Sequence, residues 1–258
     1  MKRIASFLSL ILIMVLLGGV AMADEAKTYV IGTNAEFPPF EYIDDEGNFA
    51  GFDMELVAML LDRIGVAYTY ETMEFNALIP ALASDRIDIA AAAITIREDR
   101  LENALFSDPY FHATQKIIVA ADNEAITTEA DLAGKKIGVQ MGTTGDLYIT
   151  DIADYAGTIE VERFSKALDA VMDLATGRLD AVVVDEGVSA YFIEAVEGLR
   201  LLDDVLSDEY YGIAMKLGED EFMAKINAAL AEMMEDGSYD ELFGKYFASD
   251  DEGEAAAE

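Results

Sequence analysis

The chain has 258 residues, of which 53% are hydrophobic and 26% charged, so it is long enough for one large globular domain or two modest ones. Its 51 acidic residues against 17 basic ones give a net charge of −34, which opposes binding to nucleic acid and to anionic membranes. The sequence has no cysteine and a single histidine, His112, which excludes thiolate zinc sites and argues against a histidine-rich one, so we expect no metal and no other cofactor.

Residues 1–23 have the three regions of a cleaved secretory signal: two basic residues, an apolar run over residues 4–20 and a small-residue site at residues 21–23. The alternative is an uncleaved membrane anchor, but two glycines interrupt the apolar run, and no later run is long enough to span a bilayer. We expect a mature chain that begins at Asp24 and is free in a periplasm, because without cysteine it cannot carry a lipid on an N-terminal cysteine.

The first predicted strand is Thr28–Thr33, and Asn34 lies at its carboxyl end. Two prolines stiffen the loop that follows and hold Phe37 and Phe40 in place. The loop is therefore a candidate part of a binding site.

A predicted hairpin over residues 41–52 leads to a helix that Asp53 is positioned to cap and that Gly65 ends. A strand and a short helix over residues 66–83 then precede a short apolar run, Ile87–Ala93, which is typical of a buried strand. This alternation of strands and helices predicts an α/β fold.

Beyond this strand the sequence turns polar, with Thr95 and then Arg100. Ligands of open α/β sheets bind beyond the carboxyl ends of the strands, so a binding group is expected here. A guanidinium presents paired donors that match the two oxygens of a carboxylate. The alternative is a surface arginine that pairs with Glu98 or Asp99.

Two segments, residues 77–90 and 169–182, resemble each other: both read as a helix, a turn with an arginine, and a strand with one aspartate. Two copies at this distance indicate two similar α/β lobes rather than a repeat array. In the second lobe, one predicted strand is followed by Gln140 and another by Asp185. Four polar residues are therefore predicted to face one cleft: Asn34, Thr95, Gln140 and Asp185.

The last predicted element is an amphipathic helix over residues 219–235 that Gly237 ends, followed by an aromatic segment at residues 239–247. Residues 249–258 are acidic and rich in alanine, which predicts a disordered tail.

Five stretches of the chain resemble the extracellular solute-binding proteins of family 3, which bind polar amino acids for ABC importers. They follow the family's order and span roughly 215 residues. The stretches are residues 31–42 (IGTNAEFPPFEY), 51–56 (GFDMEL), 94–100 (ITIREDR), 106–110 (FSDPY) and 236–247 (DGSYDELFGKYF).

This resemblance implies a two-lobed α/β fold of the periplasmic-binding-protein (Venus flytrap) type, with the ligand cleft between the lobes. The first lobe would be discontinuous, residues 24–110 and 211–248, and residues 111–210 would form the second. The chain would cross between the lobes near residues 110–114 and 207–211, and these crossings would form a hinge.

The resemblance also implies roles for individual residues. Arg100 matches the residue that grips the ligand's α-carboxylate, and Asp185 matches the one that takes the α-ammonium. Thr95 matches a hydroxyl contact to the same head group, while the backbone amides around Thr144 open a helix toward the carboxylate. Two aromatic residues match the walls of the pocket: Phe37 and Phe75.

This sequence departs from the family at Asn34, where relatives often have an acid, and at Ala92 and Ala93, where some have serine. Amide groups at Asn34 and Gln140 fit a neutral polar side chain, so glutamine is the first predicted ligand and arginine the second. Aspartate and glutamate are excluded, because the one additional basic residue nearby, Arg97, is expected to begin the next helix facing outward.

The function that follows is binding of a free amino acid by a monomer and its delivery to a membrane permease, with no catalysis. The alternative is an enzyme of the same fold, similar to cyclohexadienyl dehydratase, with a catalytic acid in the cleft. Glu36 is the candidate catalytic acid. The alternative is that Glu36 is a solvated carboxylate of the loop with no catalytic role.

Overall fold

A computed structural model describes residues 27–156 and 158–247. The predicted signal at residues 1–23, the predicted mature terminus at Asp24 and the predicted tail at residues 249–258 lie outside the described residues. Within the described part, no helix combines the length and the apolar character needed to cross a membrane.

The described residues form strands and helices that alternate along most of the chain. The strands are β1 (Thr28–Thr33), β2 (Glu36–Phe37), β3 (Glu41–Ile43), β4 (Phe49–Ala50), β5 (Ala67–Thr72), β6 (Ile89–Ala90), β7 (Leu105–Phe106), β8 (Phe111–Ala113), β9 (Gln115–Ala120), β10 (Lys136–Gln140), β11 (Glu160–Phe164), β12 (Ala181–Asp185), β13 (Leu199–Leu201), β14 (Glu209–Tyr211) and β15 (Ala214–Met215). The α-helices are α1 (Phe52–Ile64), α2 (Leu78–Ala83), α3 (Glu98–Leu101), α4 (Thr144–Ala156), α5 (Ala167–Ala175), α6 (Glu186–Ala195), α7 (Asp220–Asp236) and α8 (Ser238–Phe247).

Two five-stranded sheets organise the molecule. The first has the order β5-β1-β6-β15-β7, with β1 parallel to both neighbours and β15 antiparallel to both of its own. The second has the order β11-β10-β12-β9-β13, with β10 parallel to its neighbours and β9 antiparallel. The predicted two-lobed α/β class is therefore confirmed.

The chain passes between the sheets beside a two-stranded antiparallel ribbon formed by β8 and β14. This ribbon lies at the two predicted crossings. After it, β15 returns to the first sheet and inserts between β6 and β7. The division into residues 24–110 with 211–248 and residues 111–210 stays a prediction.

An aromatic cluster fixes the β2-β3 hairpin on this ribbon. The Phe40 ring, which is fully buried, contacts the rings of Phe111 and Tyr211 edge-on, with centroids 4.9 and 5.4 Å apart. It also contacts Phe247 of α8 at 5.2 Å. Burial of an aromatic side chain of this size contributes about 1.5–3 kcal/mol. The hairpin residues next to Phe40 are therefore held rigidly.

Two predictions about the first lobe are wrong. Asp53 does not cap a helix, because α1 begins at Phe52 and the Asp53 side chain is buried; its Oδ2 accepts hydrogen bonds from the Ala93 amide (2.7 Å) and the Tyr110 hydroxyl (2.6 Å). The strand predicted at Ile87–Ala93 is only the two residues of β6. Ala93 has a φ of 47°, in the left-handed region, which turns the chain out of the strand.

Candidate functional site

Polar residues at four strand ends meet between the two sheets. Asn34 follows β1 and Thr95 follows β6, whereas Gln140 and Asp185 are the last residues of β10 and β12. All four are buried, and Gln140 Nε2 donates a hydrogen bond to Asn34 Oδ1 at 2.9 Å. Ligands of open α/β sheets bind at such strand ends.

These strand ends surround a small space between the two sheets, which we call the cleft cavity. Its lining consists of Asn34, Phe37, Glu41, Phe75, Ala92, Ala93, Thr95, Arg100, Gln115, Gln140, Thr143, Thr144 and Asp185. The structure thus brings all nine predicted site residues together, and their contact with a ligand stays a prediction. Glu41, Gln115 and Thr143 were not among the residues singled out in the sequence.

Arg100 is buried on α3, so the alternative of a surface arginine paired with a neighbouring acid is wrong. Its guanidinium donates to the carbonyl of Thr95 at 2.9 Å and to the carbonyl of Gly142 at 3.1 Å, and it lies over the ring of Phe75. Burial, with a smaller effect of Arg97, lowers the Arg100 pKa to about 10. The group therefore keeps its positive charge at neutral pH.

Asp185 is also buried, and the hydroxyl of Tyr211 donates a hydrogen bond to its Oδ1. Burial raises the pKa of Asp185 to about 7, and the nearby Glu209 carboxylate adds to the effect. At neutral pH this carboxyl is therefore close to half protonated in the empty cavity. A cation placed beside it would favour the carboxylate.

The hydroxyl of Thr95 faces the cavity as an acceptor. Its single proton goes to Glu209, since Thr95 Oγ1 donates to Glu209 Oε2 at 2.7 Å. The hydroxyl of Thr144, the first residue of α4, donates to Thr95 Oγ1 at 3.1 Å. The remaining capacity of Thr95 is a lone pair, which can accept from a ligand donor.

Two buried acceptors in the lining lack a donor among the described residues: Glu41 Oε2 and Gln115 Oε1. Glu41 is only 1% exposed and stands opposite Phe37 in the β2-β3 pairing. Burial raises its pKa well above the ordinary range, and the carboxyls of Asp53 and Asp185 raise it further. The sequence carried one signal for Glu41, a lone acid between aromatic residues in a short apolar strand.

Side-chain contacts close the cleft around the cavity. Lys166 pairs with Glu36, so Glu36 lies at the mouth and not in the lining. Arg97 pairs with Asp99 at 2.7 Å, yet its side chain is only 22% exposed and its Nη1 donates to Thr144 Oγ1 at 3.4 Å. The prediction that Arg97 faces outward is therefore wrong, although it does not line the cavity.

Proteins of known function resemble this chain over most of its length. The family model described as "Bacterial extracellular solute-binding proteins, family 3" matches residues 29–249. An L-arginine-binding protein of Pseudomonas aeruginosa is 34% identical over 87% of this chain and 89% of its own. A probable histidine-binding protein of Neisseria gonorrhoeae is 32% identical over 91% of this chain and 88% of its own.

Solved structures show the same similarity. An ancestral arginine-binding protein, solved with arginine and with glutamine, is 40% identical, with a TM-score of 0.82 over 86% of this chain and 98% of its own. An ancestral amino-acid-binding protein, a precursor of cyclohexadienyl dehydratase, is 32% identical, with a TM-score of 0.78 over 85% of this chain and 95% of its own.

Proposed function

The chain belongs to the bacterial extracellular solute-binding proteins of family 3, and from this premise we propose that it binds a free α-amino acid in the cleft cavity and delivers it to the permease of an ABC importer. The main support is that Arg100 and Asp185, from opposite lobes, line one closed cavity. A guanidinium fork matches a carboxylate and a buried carboxylate matches an ammonium. Together they complement the head group that all α-amino acids share.

The rest of the head-group site supports this orientation. The amino end of α4 at Thr144 offers backbone N–H groups and a favourable dipole to a carboxylate. Thr95 offers an acceptor to an ammonium, because its own proton is held by Glu209. Phe37 and Phe75 line the cavity as apolar walls.

For the ligand's side chain we place arginine first and glutamine second, the reverse of the order predicted from the sequence. The sequence order was based on the amides of Asn34 and Gln140, with Glu36 as the one candidate acid of the cleft. In the structure Glu36 pairs with Lys166 at the mouth. Glu41 lines the cavity instead, with an oxygen that lacks a donor. The P. aeruginosa relative is named as an L-arginine-binding protein, and the ancestral protein was solved with arginine and with glutamine. Aspartate and glutamate stay excluded, since Arg100, the one basic side chain of the described lining, would already pair with the α-carboxylate and leave a second carboxylate without a cation.

We also propose that the chain is exported by a cleaved signal at residues 1–23 and acts in the periplasm as a monomer. The family is described as extracellular, and the signal pattern of residues 1–23 supports export. Cleavage would remove two basic residues and leave 15 against 51 acidic ones, a net charge of −36. Such a charge favours solubility and opposes contact with nucleic acid or anionic lipid.

A cleft enzyme is the less favoured alternative, because the named relatives are binding proteins and the candidate acid Glu36 does not line the cavity. Prephenate, the substrate class of that alternative, carries two carboxylates. Among the described residues of the lining, Arg100 is the one basic side chain, and two acids accompany it. The cavity is therefore poorly matched to a dianion.

Titration calorimetry with the natively purified protein tests the proposal. Dialysed protein is titrated with arginine, glutamine, histidine and glutamate, and incubated separately with prephenate and arogenate. We expect arginine to bind most tightly, glutamate not to bind, and neither enzyme substrate to be consumed. Absence of binding by every amino acid would overturn the proposal, and turnover of prephenate would favour the enzyme.

A further inference from the structure

Glu41 is a buried acid of the cavity lining, and one of its carboxyl oxygens lacks a hydrogen-bond donor among the described residues. It is 1% exposed, on β3, and no donor from the described residues reaches its Oε2. An ionised carboxylate in such a place is strongly disfavoured unless a donor or a cation contacts it. Because Glu41 lines the cleft cavity, a ligand group is the natural candidate for that partner.

The titratable groups around Glu41 are Asp53 on α1, Tyr110 just before β8 and Asp185 at the end of β12. Arg100 on α3 lines the same cavity. The Asp53 carboxyl already receives two hydrogen bonds on Oδ2, and its Oδ1 lacks a donor as well. Two adjacent buried carboxyls do not both ionise easily, and Asp53 has the better donors. Without a ligand, the arrangement therefore favours the protonated form of Glu41 over its carboxylate.

We propose that Glu41 recognises the side chain of the ligand in two protonation states. With a neutral side chain, Glu41 keeps its proton and donates a hydrogen bond. With a cationic side chain, Glu41 releases its proton to solvent and binds as a carboxylate. This inference rests on the proposed amino-acid binding and adds which residue selects the side chain. In the second case the carboxylic acid becomes a carboxylate paired with a guanidinium. One proton leaves the protein and the charge within the cavity stays constant.

One cavity would then accept ligands of two charge types without any rearrangement of its backbone. The cost of the cationic ligand depends on pH, because the proton must be removed from a group whose burial raises its pKa. Arginine affinity should rise with pH and level off once Glu41 is ionised in the empty protein. Asp185 also titrates, but it meets the α-ammonium of every ligand, so its effect cancels when two ligands are compared.

Arginine and citrulline form the matched pair for the test, since they have nearly the same shape and differ in the charge of the terminal group. Calorimetry at pH 7 in phosphate and in Tris gives the number of protons released on binding. Three proteins are compared: the parent, Glu41→Gln, and Glu36→Gln as a control acid outside the lining. Circular dichroism and thermal melting show that each variant is folded.

We expect the parent to release more protons with arginine than with citrulline, and its preference for arginine over citrulline to rise with pH. Glu41→Gln should bind arginine at least tenfold more weakly and lose this extra proton release. Glu36→Gln should keep it. If citrulline binding is too weak to measure, the protons released with arginine by the parent and by Glu41→Gln give the same comparison.

Equal proton release by the parent and Glu41→Gln, or arginine binding by Glu41→Gln within threefold of the parent, would overturn the inference and leave amino-acid binding intact. Failure of the parent to bind any amino acid would instead overturn the proposed function itself.

Discussion

The side-chain amide of Gln140 donates a hydrogen bond to Asn34 Oδ1 across 2.9 Å, although the two residues are 106 positions apart and belong to different sheets. The same amide also donates to the carbonyl of Ser165 at 3.1 Å. Both Gln140 and Asn34 are buried in the wall of the cleft cavity. The two lobes are thus joined by a hydrogen bond that is shielded from water, so solvent competes poorly with it.

Arg100→Ala is expected to abolish amino-acid binding while the protein stays folded. The ligand carboxylate would lose a charge-assisted fork inside a closed cavity, at a cost of about 3–5 kcal/mol. Arg100→Lys should recover only part of this, because an ammonium cannot form the fork. Arg86→Ala is the control, since Arg86 pairs with Glu71 at the surface. Calorimetry that finds either Arg100 variant within threefold of the parent would refute the assignment.

Asp185→Asn is expected to stabilise the empty protein at pH 8 and to abolish binding. The pKa of Asp185 is raised to about 7, above the value of about 3.9 in an unfolded chain. The folded state therefore binds the proton more tightly, so this residue lowers the free energy of unfolding as pH rises from about 4 to about 7, by a few kcal/mol at most.

Urea unfolding of the empty protein at pH 5 and pH 8 measures this effect. Asp185→Asn should reduce the loss of stability between the two pH values, and a residual loss should remain because the pKa of Asp53 is raised to about 6. An unchanged pH dependence would contradict the prediction. Asp173→Asn is the control: Arg178 lowers the pKa of Asp173, so this carboxylate stays ionised at both pH values and its removal should leave the pH dependence unchanged.

Lys166→Met is expected to accelerate ligand release by at most about fivefold at low salt, because an exposed ion pair contributes about 0–1 kcal/mol. Lys166 and Glu36 are 46% and 36% exposed, and they join the lobes at the mouth of the cavity. At 1 M salt the difference from the parent should vanish, since exposed charges are then screened.

Stopped-flow measurement of dissociation provides the check, with Lys216→Met as the control. Lys216 follows β15 and pairs with Asp85, which precedes β6, so this ion pair lies beside two neighbouring strands of the first sheet. An effect of Lys166→Met that persists at high salt would show that the contact does not act through charge.

Gly145→Ala is expected to weaken binding about tenfold and to destabilise the protein by about 1–3 kcal/mol. A methyl group at this position of α4 would lie 2.8 Å from Gln115 Oε1 and 3.3 Å from the backbone oxygen of Val183. The displaced Gln115 side chain is part of the cavity lining.

Gly244→Ala is the matched control, because Gly244 is also inside a helix and a methyl group there meets nothing within 4 Å. It should stabilise the protein by about 0.4–1 kcal/mol. Urea unfolding and calorimetry of the two variants check the pair, and equal effects would contradict the close approach at Gly145.

Local rules predicted much of the fold. β1 has the predicted bounds. The predicted glycines Gly65 and Gly237 directly follow α1 and α7 and terminate them, both in the left-handed conformation. Strand ends were also predictable, because apolar runs stop where polar residues begin. Asn34 and Asp185 were recognised in this way.

Side chains that act through distant partners were not predictable. Asp53 looks like a helix cap because it precedes an amphipathic run, whereas its hydrogen-bond partners are 40 and 57 residues away. Glu36 and Glu41 lie five positions apart on one loop and hairpin, and nothing local shows which of them enters the cavity. Glu209 was missed for the same reason, since its partner Thr95 is 114 residues distant.

The position of β15 in the first sheet limits the order in which the two sheets can fold during synthesis. Among the described residues of the first sheet, β7 lies at the edge and pairs with β15, which is residues 214–215. While the chain is still emerging from a ribosome or a translocation pore, that sheet is interrupted after β6 until residue 215 appears, and α7 and α8 follow later still. The second sheet, whose strands all lie between residues 115 and 201, can form earlier. Vectorial synthesis therefore leaves β6 with an open edge until residue 215 appears, and the first sheet is completed after the second can already have formed.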